Sequence, residues 1–336
     1  MYDRVLLAHG SGGELSHELI HDIFVRHFAN PLLEPLGDAA VLPTLPLGRI
    51  ALTTDSYVVQ PLFFPGGNIG KLAICGTVND LAVMGAVPYY LSAGFILEEG
   101  LPLETLERVV ISMAETARAA DVQIVTGDTK VVERGSADGL FINTAGVGVI
   151  APGVTIGPSR LRPGDVLLVN GTLGDHGLAV MTQREGLTFT SPLKSDCAPL
   201  NGLIKVLLEA LPGAVHCMRD ATRGGLATVL NEWAEVGVGI ALEEDAIPVR
   251  EAVHAACEFL GLDPLYAANE GKVVIAVAPE SASEALLVLQ QHPLGREAAI
   301  IGQVTEEHAR RVVLHTPYGA HRILPMLTGA QLPRIC

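Results

Sequence analysis

Residues 151–164, APGVTIGPSRLRPG, hold three prolines and three glycines between two apolar segments, the composition of a linker or an exposed crossing. A chain of 336 residues that is 49% hydrophobic has apolar material for two cores, because single cores stop growing at roughly 250–300 residues. The stretch therefore predicts a boundary, with a first domain over 1–152, a second over 153–330, and a short tail over 331–336 that is mobile unless something ties it down.

Outward from that boundary, both halves read as α/β. On the amino side, Leu15, Leu19, Ile20, Ile23, Phe24 and Phe28 recur at helical spacing behind the glycine loop HGSGG, residues 9–13, where Ser11 can cap. IALTTDS (50–56) predicts a strand, 68–86 and 103–120 predict helices, and QIVTGD and GLFINTAGVGV predict two more strands. On the carboxy side DVLLVN, VGIAL, KVVIAVA, AAIIGQV and RVVLH read as strands, interleaved with helical patterns near 199–210, 224–236, 249–260 and 280–291.

A formal net charge of −15 with no long Lys/Arg cluster argues against nucleic acid and anionic lipid as partners. The amino-terminal apolar run is too short for a secretory segment, and the uncharged stretches 81–97 and 139–159 are broken by proline or glycine, so no membrane span and a cytoplasmic location are expected. The cysteines Cys75, Cys197, Cys217, Cys257 and Cys336 are scattered and form no Cys-x-x-Cys pair. Reduced thiols are expected, with Cys75, Cys217 and Cys257 as small buried hydrophobes.

Four acidic residues of the first half stand at turns or element ends: Asp38, Asp55, Asp80 and Asp128. Dispersed carboxylates of this kind suit Mg²⁺ held together with nucleotide phosphates; as single residues beside glycine they equally suit turn and cap chemistry. HGSGG, with His9 and Gly12, and GTLGDHG (171–177) lead into helical patterns whose free N–H groups can hold phosphate. In RDATRGG (219–225), Arg219 and Arg223 either clamp phosphate or neutralise Asp220. Lys130 is placed to offset phosphoryl charge, and Glu270, in ANEGK before an apolar strand, is a candidate general base. The histidines lack zinc-ligand spacing. Cys336 is the last residue of the sequence, and as a lone terminal thiol it is no prenylation box.

Taken together, HGSGG, TTDSYVVQPLFFPGGNIGKLAICGTVNDLAVMGA, GFILEEGLP, VTGDTKVV, FINTAGVG, GTLGDHG, RDATRGG, ANEGK and the final PRIC resemble the HypE family of hydrogenase maturation proteins across nearly the whole chain. The aspartate motifs are shared more widely with the PurM-like, AIR synthase-related superfamily. The resemblance implies a PurM-like two-domain fold, with an N-terminal sheet domain that dimerises and a C-terminal α/β domain, and ATP with Mg²⁺ bound between them. It implies that a carbamoyltransferase, HypF, loads a carbamoyl group onto Cys336. The chain would then dehydrate this group to a thiocyanate, and the cyanide ligand would pass to the HypC–HypD complex for the iron centre of NiFe hydrogenase. By motif, Asp38, Asp55, Asp80, Asp128 and Asp220 would bind metal or phosphates, and Asn79, Thr129 and Lys130 would line the site. Asp38 stands alone where relatives often carry paired aspartates, which leaves it a supporting place.

Two other readings are weighed against this one. A selenide- or phosphoribosyl-directed member of the superfamily would act on a free small molecule, yet a selenide enzyme would carry a reactive Cys near the first glycine loop, whereas the first cysteine here is Cys75. A non-catalytic carrier would use Cys336 only to ferry a thiol-bound group.

Overall fold

The computed structural model describes residues 2–187, 193–329 and 334–335. The first helix runs as α1 (Glu14–Leu19), a π-helical stretch (Ile20–Val25) and α2 (Arg26–Phe28), burying Leu19, Ile23, Phe24 and Phe28 as the spacing predicts. Ser11 does not cap it: its hydroxyl donates back to the Ala8 carbonyl, and Gly13 is the residue that precedes the helix.

After β1 (Arg49–Tyr57), a small hairpin of β2 (Phe63–Phe64) and β3 (Gly67–Asn68) leads into α3 (Ile69–Val83), then β4 (Ala86–Glu98), α4 (Leu103–Ala119), β5 (Gln123–Val132) and β6 (Leu140–Ile150). Four of these strands form a sheet in the order β1-β6-β4-β5, with β4 and β5 parallel and the other pairs antiparallel. Along β1 the side chains alternate, with Ala51, Thr53, Asp55 and Tyr57 turned toward the helices and Ile50 and Leu52 left exposed. α3 starts at Asn68, whose side chain accepts from the Gly70 and Lys71 amides.

The second sheet follows the Pro/Gly crossing. Its elements are β7 (Val166–Val169), α5 (Asp175–Arg184), α6 (Asn201–Ala210), β8 (Val215–Asp220), α7 (Gly225–Ala234), β9 (Gly239–Glu243), α8 (Glu251–Leu260), β10 (Val273–Val277), α9 (Ala282–Gln291), β11 (Ala299–Thr305), β12 (Val312–His315) and β13 (His321–Ile323). The order is β13-β12-β9-β11-β7-β10-β8. β10 is buried on both faces: Val274 and Ala276 pack with Leu230 and Trp233 of α7, and Val273, Ile275 and Val277 pack with α6 and α9. A continuous apolar run is what a strand covered by helices on both sides requires. β8 and β13 escape sequence patterning; β8 carries His216 and Asp220 among apolar residues, and His216 is buried against Asp165 at 2.9 Å.

α3 joins the two halves. Nearly all its residues are buried, as befits a helix apolar on every face. One side lies on the first sheet, while Ala82 and Val83 enter the core built from α6, α9 and β10. The approach to the sheet relies on glycine: a Cβ at Gly76 would stand 2.3 Å from the Tyr57 hydroxyl. Gly76→Ala is therefore expected to destabilise the protein by about 1–3 kcal/mol through overpacking. Urea unfolding would register this as a lower midpoint, and an unchanged midpoint would mean that the helix shifts freely on the sheet.

Candidate active site

β1, α3 and β8 bring three carboxylates to the junction of the two halves. Asp80, near the end of α3, accepts from the Thr53 hydroxyl of β1 at 2.8 Å. Burial raises its pKa and nearby Asp55 adds to the rise, although the Thr53 bond opposes it. Asp55 lies two residues beyond Thr53 on the same face, 3.8 Å from the Arg223 guanidinium. Asp220 ends β8; burial and then the neighbouring Asp80 push its carboxyl up to about 7. Arg219 stands 4.0 Å from Asp220 and 3.3 Å from Glu232. Of the two readings of these arginines, the structure shows them beside carboxylates, with Arg223 serving Asp55 rather than Asp220.

Glu270 closes the junction from the loop before β10. It is buried, and burial, followed by the neighbouring Cys197 thiol and Asp220, pushes its carboxyl well above the ordinary range. Its main chain is pinned on both sides: its amide donates to Asp196 at 3.2 Å, and its carbonyl accepts from Asn79 at 3.2 Å. Asp196 also accepts from the Gly271 amide and from Lys272. Burial opposes the Asp196 charge, but Lys272 and the Glu270 amide prevail and hold its carboxyl below the usual range.

A second group of expected residues lies at the opposite edge of the first sheet. His9, Gly12, Asp128, Thr129 and Lys130 line a cleft of about 510 Å³ whose wall is apolar, with Ile20, Phe24, Phe28 and Phe95. Lys130 is not free there: it grips Asp128 at 2.6 and 2.7 Å, and this contact leads in holding the Asp128 carboxyl low. His9 is buried, with Nδ1 accepting from the Leu6 amide at 2.8 Å, so its Nε2 carries the hydrogen. The Gly12 amide is bound to the Ser16 hydroxyl at 2.9 Å.

Within one protomer the five aspartates fall apart in space: Asp55, Asp80 and Asp220 stand at the junction, Asp128 lies across the sheet, and Asp38 is exposed between Gly37 and Ala39, which line the cleft of Asp128. No three His, Cys, Asp or Glu among the described residues converge at metal-ligand geometry. Asn79 is buried beside Glu270, and its amide ties the Ala198 carbonyl, the Glu270 carbonyl and the Leu200 amide. In GTLGDHG the Asp175 carboxyl is buried against Thr172 and Arg250, and the Gly174 and Gly177 amides are bound to the Asn269 side chain and the Ala268 carbonyl. Cys336 lies outside the described residues. Where a free tail is expected, Arg334 and Ile335 are docked, Ile335 being buried in the core of the first half. Asp196, His176 and Ser195 were not foreseen; their signal was faint, since each earns its place through a partner far away in sequence.

Models of the AIR synthase related protein match at residues 36–150 for its N-terminal domain and 162–315 for its C-terminal domain. Carbamoyl dehydratase HypE of Escherichia coli (strain K12) is 55% identical over 339 residues, covering 99% of this chain and 100% of that protein. The crystal structure of hydrogenase maturation protein HypE in complex with ATP superposes with a TM-score of 0.94 at 53% identity, over 98% of this chain and 99% of that one. The crystal structure of a HypE–HypF complex gives 0.81 at 50% identity, over 92% and 99%. The chain belongs to the AIR synthase-related proteins and, among them, to the HypE family of carbamoyl dehydratases.

Proposed function

We propose that the protein uses ATP to dehydrate a carbamoyl group carried on the Cys336 thiol, giving a thiocyanate for the cyanide ligand of NiFe hydrogenase. The observation that carries this reading is the junction itself, where Asp55, Asp80, Asp220 and buried Glu270 come together, the Glu270 amide being bound to Asp196, whose neighbour Ser195 bonds the His176 ring that holds the docked tail. An amide oxygen is a poor leaving group, and phosphorylation makes it a good one. ATP transfers its terminal phosphoryl group to the carbamoyl oxygen as one N–H proton is lost, giving ADP and an O-phosphoryl imidate; loss of the second N–H proton and of phosphate then leaves S–C≡N. Glu270 takes that proton, because a carboxyl pushed upward by burial is a stronger base than an exposed one.

Asp55, Asp80 and Asp220 are the residues that would hold Mg²⁺: burial and then Thr53 and Asp55 act on Asp80, and burial and then Asp80 raise Asp220, a mutual repulsion that a hard cation would relieve. When bound, the cation supplies neutralisation of phosphate charge. The cleft at β5 suits the nucleotide, with an apolar wall for a base and Lys130 for phosphate. β1 and β5 are opposite edges of the sheet, separated by roughly 14 Å at three strand spacings, so one protomer keeps the two groups apart. A homodimer joined through the exposed sheet face would bring the edges of two copies together. That face carries Ile50, Leu52, Val87 and Ile96, which are 67%, 74%, 43% and 43% exposed.

HypF is the proposed carbamoyl donor and HypC–HypD the proposed acceptor. A cytoplasmic location is proposed with them; among the described residues no helix is long and apolar enough to cross a membrane.

Turnover of ATP by the carbamoylated protein tests the reading. Asp80→Asn is expected to lower it at least a hundredfold; Cys336→Ala is expected to abolish it while nucleotide affinity stays within about threefold. Turnover persisting in Asp80→Asn would contradict the assignment. A second expectation concerns pH. Asp220 binds its proton more tightly folded, at about 7, than unfolded, at about 3.9, so without divalent cation its contribution falls as pH rises across that window. In melting curves recorded in chelator, Asp220→Asn should lose less stability than the parent between pH 5 and 8 and melt higher at pH 8. Parallel curves for the two proteins would contradict an uncompensated carboxylate.

A further inference from the structure

One buried constellation takes no part in phosphoryl transfer or proton removal. His176, the second residue of α5, is fully buried, with Phe64 packed edge-on at a ring distance of 5.4 Å. Its Nε2 stands 2.7 Å from the Ile335 carbonyl and its Nδ1 2.8 Å from the Ser195 hydroxyl. A carbonyl only accepts, so Nε2 carries the hydrogen; in the neutral ring Nδ1 then accepts from the Ser195 hydroxyl. The Ser195 oxygen in turn accepts from the Cys197 amide at 3.1 Å. Both ring nitrogens are therefore committed, and one is committed to the residue next to Cys336.

The rest of the tail's seat is built from main-chain contacts. The Arg334 carbonyl accepts from the Gln60 amide at 3.2 Å and from Arg184 at 2.6 Å, and the Arg334 guanidinium pairs with Asp138. Ile335 packs in a core shared with Val180 and Cys197. The segment that holds the His176 ring also seats the base: Ser195 bonds the imidazole, Asp196 receives the Glu270 and Gly271 amides, and Ala198 and Leu200 are tied to Asn79.

We propose that His176 is a positioning residue that docks the tail through the Ile335 carbonyl, its tautomer set by Ser195, so that the tail is held by the same segment that seats Glu270. This role rests on the reading of Cys336 as the carrier of the reacting group. The buried contacts of this seat, the His176 hydrogen bond and the Ile335 side chain, carry no charge, and its charged contacts, Arg184 and the Arg334–Asp138 pair, lie at the exposed surface, which suits a tail that must also be offered to another protein for loading.

Two readouts on the full-length protein test it. The first is the alkylation rate of Cys336 by iodoacetamide, read from the mass of the C-terminal peptide without nucleotide or partner. His176→Ala is expected to raise this rate five- to tenfold, and His176→Gln, whose amide N–H can serve the same carbonyl, to return it toward the parent. Ser195→Ala, a smaller change that frees the tautomer, should raise it two- to fourfold and serves if His176→Ala does not fold. The second readout separates the half-reactions: carbamoylation of Cys336 by the carbamoyltransferase should stay within twofold in these variants, while ATP-dependent dehydration slows at least tenfold. An alkylation rate unchanged in folded His176→Ala or Ser195→Ala would overturn the proposal, as would loading and dehydration falling in parallel. If the parent is never carbamoylated, the proposed function fails, while the alkylation rates still decide whether His176 holds the tail.

Discussion

A helix of fifteen residues, α3, is buried on every side between two sheets, and the rest of the molecule is arranged by that burial. A helix so enclosed can expose no polar side chain to water without a partner, so the two polar residues at its end must be satisfied by opposite halves. Asn79 turns to the second half and binds three main-chain groups there; Asp80 turns to the first sheet and Thr53. The junction that gathers Asp55, Asp80, Asp220 and Glu270 is thus a consequence of packing one apolar helix between two layers.

The electrostatics of the junction run against stability. Burying Asp220 and Glu270 beside further carboxylates is unfavourable in the absence of a cation. Such groups are placed where binding can relieve them, and their cost is the usual companion of an active site. The buried Lys272–Asp196 pair, at 3.0 Å, differs in kind, being matched internally and serving to fix the loop that carries Glu270.

Much of the fold was legible because its signals are local. The apolar run of β10, the amphipathic spacing of α4 and the Pro/Gly crossing at 151–164 each follow from a few neighbouring residues, as does RDATRGG at the start of α7. The candidate site was legible in its residue types and less so in its grouping. Nothing near Asp128 in sequence tells that it falls on the far edge strand from Asp55, since strand order is decided by pairings across the whole sheet. The three main-chain partners of Asn79 are distant in sequence, and His176 reads as part of a glycine-rich turn until Ser195 and Ile335 reach it. β8 was missed because a strand buried on both faces with charged residues along it shows no alternation.

The central claim is that this chain itself converts a group on Cys336, and the mass of the C-terminal peptide tests it most directly. The protein would be incubated with the carbamoyltransferase, carbamoyl phosphate and Mg-ATP, then digested. The account predicts that the peptide gains a carbamoyl group and afterwards loses the elements of water, the loss occurring only with hydrolysable ATP. A peptide that is carbamoylated but never dehydrated would contradict it and leave the chain a carrier for chemistry done elsewhere.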